Sequence, residues 1–368
     1  MIVAPHRGTA DPLHRQAEAA RFCRDILPSV SRTFALSIRV LPGALGRAVL
    51  VAYLLCRIAD TVEDAPGLSA ERKSALLDSM LACFDDAAEG EAFPARTAEI
   101  DGDPGHARLT RHANLVFLEF SALPAGSRAH VRRWVTEMVT GMRTFVLRYP
   151  QGIRIQSLDE YREYCYYVAG TVGYMLTDLW HEHWPIISDA RHAALRERCR
   201  AFAEALQTVN ILKDVARDAE HENSIFIPEQ LLQEHGSSHA MILAADRARQ
   251  TRDALGTLAR LASQDLEHAQ AYLLAIPRRA MPIRLFCALP LLFACATLRD
   301  LRRTWAALAQ APLSQVVKIS RAEVKSLTIL SVVGVASNHM LAWLAAQARR
   351  RPLTWAGARG EYTADNAG

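Results

Sequence analysis

Asp60-Thr61-Val62-Glu63-Asp64 closes an otherwise apolar stretch running from Ala48 to Val62. On a helix, Asp60 and Asp64 lie one turn apart on the same face, with Tyr53, Cys56 and Arg57 close by. Carboxylates so placed repel each other unless a cation separates them. Mg²⁺, commonly held by one or two carboxylates plus substrate phosphate oxygens, suits the pair. The plain alternative is a helix end with solvated acids, because two acids at this spacing are common. A second array shifts the balance. Asn210, Asp214 and Asp218 follow one another at i+4 steps, flanked by Lys213 and Arg217, with Gln207 one turn back. Two acid-bearing faces on different helices, each with a cation beside it, make a di- or trinuclear Mg²⁺ cradle for a diphosphate. The ions would neutralise that leaving group as it departs. Two unrelated amphipathic surface faces are the competing explanation.

Between the arrays lies the run from Tyr164 to Tyr174, with four tyrosines and with glycines at Gly170 and Gly173. Glycine inside a helix costs about 1 kcal/mol relative to alanine, so close helix packing or a ligand against the backbone must compensate. The rings could stabilise a carbocation, or simply form a packing seam. The apolar run Leu285 to Ala294 contains Pro290. It reads as a kinked core helix, or as the lining of a long greasy cavity with Phe286 at the bend.

The elements that must carry these residues are helical: apolar residues recur three and four apart, and alternating β-branched runs are nearly absent. The pattern predicts helices over about 14–27, 29–39, 43–63, 69–89, 106–122, 126–147, 158–181, 188–219, 228–232, 239–275, 279–308 and 316–348. Breakers fall at Pro28, Leu41-Pro42-Gly43, Pro66-Gly67, Tyr149 to Gly152 and Pro228, and Ala87 to Gly105 reads as a surface loop. No repeat or long polar linker divides the chain. One all-α catalytic domain over 16–350 is expected, between a flexible N-terminus, 1–15, and a disordered tail, 351–368. Ser326 to Ala348 holds no Lys, Arg, Asp or Glu and precedes Arg349-Arg350-Arg351. Its hydroxyls, Asn338, His339 and Gln347 favour a buried core helix, with peripheral membrane contact as the alternative.

Composition sets the outer bounds. The 368 residues are 50% hydrophobic and 22% charged, which excludes wholesale disorder. A net charge of +4 with no long basic run gives no nucleic-acid signal. Seven scattered cysteines without a Cys/His cluster read as buried reduced thiols, and Met1 to Arg21 lacks the apolar core of a secretory signal. A cytoplasmic location is expected, with peripheral membrane contact for product release.

These motifs, in this order, resemble those of the squalene/phytoene synthase family, the head-to-head prenyl transferases. Ser31-Arg32-Thr33-Phe34 resembles the family's substrate-flap motif, Asp60 to Asp64 its first aspartate-rich motif, Tyr164 to Gly173 its tyrosine–glycine signature, and Asn210 to Asp218 its second acidic motif. Phe286 to Pro290, Ala296 to Leu298 and Val317 to Ile319 are most similar to the squalene-forming branch. The resemblance implies an all-α isoprenoid-synthase fold, helices around a central cavity. It also implies head-to-head condensation of two farnesyl diphosphates through presqualene diphosphate, then reduction to squalene by NADPH. A relative making dehydrosqualene, phytoene, presqualene diphosphate or hydroxysqualene is the alternative.

By the same resemblance Asp60, Glu63, Asp64, Asn210, Asp214 and Asp218 would hold Mg²⁺. Ser31, Arg32, Phe34, Tyr53, Arg57, Val168, Gln207, Lys213 and Arg217 would meet substrate. Tyr164 would assist proton loss in the first half-reaction, and Phe286 would shield cationic carbon. Lys318 and Arg321 would meet NADPH; no Gly-rich dinucleotide fingerprint is present. The chain departs from the family pattern at Lys213, usually arginine, at Ser320, where an arginine is displaced to Arg321, and near Asn223, where no arginine follows the second acidic motif.

Overall fold

Helices with apolar stripes must bury them against one another, and long stripes on every side put a helix at the centre. The structure, a computed structural model, describes residues 12–307, 313 and 317–354. In chain order the α-helices are α1 (Pro12–Val30), α2 (Arg32–Arg39), α3 (Gly43–Glu63), α4 (Ala70–Ala82), α5 (Ala87–Arg96) and α6 (Pro104–Thr110). Next come α7 (Ala113–Ser121), α8 (Ala125–Arg148), α9 (Leu158–Cys165), α10 (Thr171–His183) and α11 (Asp189–His221). The last are α12 (Glu229–Glu234), α13 (Ala248–Ala275), α14 (Met281–Ala307), α15 (Arg321–Gly334) and α16 (Asn338–Arg350). A π-helical turn, Tyr166–Gly170, joins α9 to α10. Among the described residues no strand forms; Arg154 and Ile225 make an isolated parallel bridge.

A ring of α2, α3, α8, α10, α11 and α14 packs side to side and surrounds a cavity. The sequence explains the choice. From Ala48 to Val62, α3 is buried on nearly every side, and α14 is buried from Phe286 to Ala296. By length and composition α14 could cross a membrane, yet 83% of its apolar window is inside the fold. One cluster of buried apolar side chains extends from Ala19 to Ala348. All seven cysteines are free and buried.

Two buried arginines fix the C-terminal helices. Arg299 of α14 makes a bidentate pair with Glu323 of α15, both bonds 2.8 Å. Arg284 is wholly buried and donates to the carbonyls of Val335 and Ile276 and to Asn338 Oδ1, at 2.6–2.7 Å.

Several boundaries differ from the sequence pattern. Pro28 lies inside α1, and α1 begins at Pro12, within the stretch 1–15 expected to be flexible. Residues 1–11 and 355–368 lie outside the described residues. The expected loop at 87–105 contains α5, capped by the Asp86 carboxylate on Ala88 N–H and anchored by buried Phe93. The expected helix 106–122 breaks at 111–112 into α6 and α7. The expected helix 316–348 is two helices turning at Val335–Ser337, where the Ser337 hydroxyl caps α16. That segment is buried on one side only, with Val333 and Trp343 exposed.

Candidate active site

The last turn of α3 delivers the first acidic array. Asp60 Oδ2 stands 3.4 Å from Arg57 Nη1. Arg57 Nη2 donates to the Tyr53 hydroxyl at 3.4 Å, and that hydroxyl donates to the Val30 carbonyl at 3.2 Å. Burial works against the Arg57 charge, but Asp60, Tyr53 and Asp64 outweigh it and hold the guanidinium protonated; its Nε is buried without a partner. Burial pushes the Asp60 carboxyl up, opposed by Arg57. Glu63 is buried with one carboxylate oxygen unpartnered, and burial, then Asp64 and Asp60, push it well above the carboxylate range. Asp64 opens to water but sits deep in a concave cleft. Burial, then Glu222 and Asp60, drive its carboxyl well up too.

The second array rides on α11, at 33 residues the longest of the described helices. Its i+4 steps put Asn210 at the cavity and Asp214 and Asp218 one and two turns on. Lys213 Nζ is 3.1 Å from Asp214, and Arg217 Nη2 bridges Asp218 at 3.4 Å and Glu222 at 3.1 Å. Asp218 is pushed up to about 7, by burial first and then by Glu222, against the pull of Arg217.

The arrays face each other. Glu63, Asp64 and Glu222 line one cleft with Lys73, whose ammonium donates to the Glu63 carbonyl at 2.6 Å. Glu222 and Lys73 are absent from the sequence expectations. Glu222 was in plain sight, since it continues the run 210, 214, 218 by another i+4 step. Lys73 carried no signal, because only the packing of α4 brings it there. His106 of α6 also feels Arg57 and Arg217: burial, then Arg57, pulls its imidazole pKa down.

Beside the acids opens a cavity of about 180 Å³. Its polar mouth has Tyr53, Arg57, Asp60, Gln207 and Asn210; its apolar depth has Phe34, Val168, Phe202 and Phe286. Phe34 leans on Tyr53, ring centroids 5.7 Å apart, and Phe286 meets Trp180 edge-on at 5.2 Å. Pro290 lines the same end. Gly173 also faces this cavity, and a Cβ there would run into the Cys199 carbonyl of α11. Close helix packing is therefore one benefit that compensates for this glycine.

Tyr164 sits behind this lining, stacked on Phe226 at 4.9 Å and edge-on to Phe145 at 5.2 Å. Burial, then Glu63, Asp64 and Asp60, raise its phenol pKa. Ser31 is occupied as the cap of α2, its hydroxyl accepting from Phe34 N–H at 3.0 Å. The side chain of Arg32 lies outside the described residues. Lys318 is exposed, and Arg321 borders a separate groove on the outer side of α2. Neither is among the described residues lining the cavity. Near Asn223 the cation absent from the local sequence arrives from elsewhere: Arg154 donates to the Asn223 carbonyl and side-chain oxygen at 2.5 and 2.6 Å. Asn223 itself holds a left-handed backbone, φ 47°.

Residues 27–323 match the sequence profile described as squalene/phytoene synthase. The chain belongs to the squalene/phytoene synthase family. The squalene synthase of Schizosaccharomyces pombe is 29% identical over 282 residues, covering 76% of this chain and 58% of that protein. The squalene synthase of Nicotiana benthamiana is 28% identical over 283 residues, covering 75% and 63%. The chain thus spans less than two thirds of the length of these relatives. Among solved structures, TcSQS bound to BPH1237 superposes with a TM-score of 0.75 at 25% identity, covering 89% of this chain and 90% of that one. A dehydrosqualene synthase with bound ligand gives 0.60 at 20% identity over 92% and 100%, a likeness of fold alone. The all-α isoprenoid-synthase fold of the squalene/phytoene synthase family is the fold of this chain.

The oxygen donors suit a hard divalent ion in kind and in charge. Carboxylates outnumber cations in the cleft, several are held above their ordinary range, and Glu63 keeps an unpaired buried oxygen. Among the described residues no three acids or histidines converge closely enough to hold an ion by themselves. An ion that keeps its waters and takes further ligands from phosphate fits such a site; a dedicated all-protein cage does not.

Proposed function

We propose that this prenyltransferase condenses two molecules of farnesyl diphosphate head-to-head through presqualene diphosphate and, with NADPH as reductant, forms squalene. The observation that carries the reading is the continuity of an acid-lined mouth with an apolar cavity, Asp60 and Asn210 at one end and Phe286 at the other. Asp60, Glu63 and Asp64 on one wall, with Asn210, Asp214 and Asp218 on the other, would hold Mg²⁺. When bound, that ion supplies neutralising charge to the departing diphosphate. Arg57, Lys213 and Arg217 would add fixed positive charge at phosphate level, and Gln207 and Tyr53 would orient it by hydrogen bonds. Lysine at 213 gives a point charge in place of a bidentate grip.

In the apolar depth, Phe34, Val168 and Phe286 would exclude water from cationic carbon, with the ring of Phe286 turned to stabilise it. At about 180 Å³ the cavity is smaller than the roughly 300–1,000 Å³ of ordinary ligand sites, so prenyl chains must widen it. Tyr164 is the group we assign to assisting proton loss as the cyclopropane closes. It would act as a neutral hydroxyl, since its surroundings oppose the phenolate.

Lys318 and Arg321 lie outside the cavity and, among the described residues, form no dinucleotide site with it. They favour, as a second reading, a family member that stops at presqualene diphosphate or quenches without reduction. Incubation of the pure protein with farnesyl diphosphate and Mg²⁺, with and without NADPH, separates the two. Squalene formed only with NADPH supports the first reading. Presqualene diphosphate or hydroxysqualene as the end product in both tubes refutes its reductive half.

A further inference from the structure

The turn between α15 and α16 exposes apolar side chains that a surface in water would not select. On α15 the outward face steps from Arg321 and Lys325 to Ile329, Val332 and Val333, the last three 42%, 53% and 76% exposed. On α16 it continues with Met340 and Trp343, 36% and 46% exposed, and ends at Arg350 and Arg351. The neighbouring turn between α13 and α14 is locked against this one, because Arg284 bonds the carbonyls of Ile276 and Val335 together with Asn338. That turn adds exposed Arg278, Arg279 and Met281 to the same end of the molecule. From 317 to 354 the single acid is Glu323, which is 1% exposed and neutralised by Arg299. Among the described residues of these turns and helices the surface is thus apolar at its tip, basic beside and behind the tip, and free of exposed acid.

We propose that this end of the molecule docks on the surface of an anionic lipid bilayer. Val332, Val333, Met340 and Trp343 enter the boundary of headgroups and acyl chains, and Arg278, Arg279, Lys325, Arg350 and Arg351 lie at the level of the phosphates. The spacing suits this depth. At 1.5 Å per residue, Lys325 lies about 12 Å behind Val333 along α15, and Arg350 about 10 Å behind Trp343 along α16. Interfacial helices bury their apolar faces by about 5–10 Å. Neither helix can span, because 14 and 13 residues reach only about 20 Å of a roughly 30 Å hydrocarbon core. The charge pattern selects lipid over a second copy of the chain, since a two-fold contact through this face would set arginines against arginines. The exposed Ile329 also borders an apolar groove shared with Leu36 of α2, the helix whose Phe34 and Ile38 line the cavity. The inference does not depend on which product the enzyme makes.

Flotation with vesicles of phosphatidylcholine, alone or mixed with phosphatidylglycerol, tests it. The unaltered protein is expected to float with the anionic vesicles, weakly with the neutral ones, and less as salt rises. Val333→Glu combined with Trp343→Glu should cut flotation at least about tenfold, and Arg351→Gln about fivefold. Should the double variant melt earlier than the parent, the salt and lipid-charge dependence of the unaltered protein decides alone. Flotation absent from both vesicle types, or indifferent to lipid charge and to a well-folded double variant, overturns the proposal. So does a lipid-independent dimer that the double variant dissociates.

Discussion

Tyr164 illustrates how environment limits what a side chain can do. Held between Phe226 and Phe145 and facing the field of Glu63, Asp64 and Asp60, its phenol stays protonated. A neutral hydroxyl can take a proton only while passing its own onward. Tyr164→Phe should therefore slow presqualene diphosphate formation about a hundredfold, measured without NADPH. An unchanged rate removes the tyrosine from the mechanism. Asp178 shows the opposite balance, in a structural role. Burial opposes its ionisation, but hydrogen bonds from Trp134, Arg196 and His192 outweigh burial and depress its pKa. Its stabilisation is thus present above its unfolded value near 4 and is lost as pH falls through the lower folded value. Asp178→Asn should cost about 2–3 kcal/mol in urea unfolding at pH 7, with the gap to the parent closing as pH drops below 4. A gap constant with pH would contradict this.

At the scale of elements, close approach of α10 to α11 sets the width of the cavity wall. Gly173→Ala should force α10 off the Cys199 carbonyl, lowering the melting temperature and reducing condensation, because the wall carrying Val168 and Gln207 shifts. Retention of both properties would show that the contact relaxes freely. The elements carrying the acids were legible beforehand: α3 spans the expected 43–63, and i+4 steps put Asn210, Asp214 and Asp218 on one face of α11. What escaped was decided by long-range packing. Burial of Phe93 makes a helix of a stretch rich in glycine and acid, and Arg284 holds the turn that splits an unbroken apolar segment into α15 and α16. Lys73 and Arg154 reach the site from α4 and from the loop after α8, and no local pattern points there.

For the whole molecule, the fold brings the carboxylate-bearing ends of two helices to the mouth of a cavity walled by apolar side chains. Burial and the neighbouring carboxylates raise the Glu63 and Asp64 carboxyls well above their ordinary range. On the proposed reading, divalent ions and diphosphate would be mutually dependent ligands of these carboxylates. If so, both walls are needed at once, and neither substitutes for the other. Pyrophosphate release from farnesyl diphosphate, followed as Mg²⁺ is added to chelator-treated protein, measures this directly. The parent should respond to Mg²⁺, while Asp60→Ala and Asp214→Ala should each lose at least about a hundredfold in rate with the fold intact. Release that proceeds without divalent ion, or at the parental rate in either variant, would contradict the account.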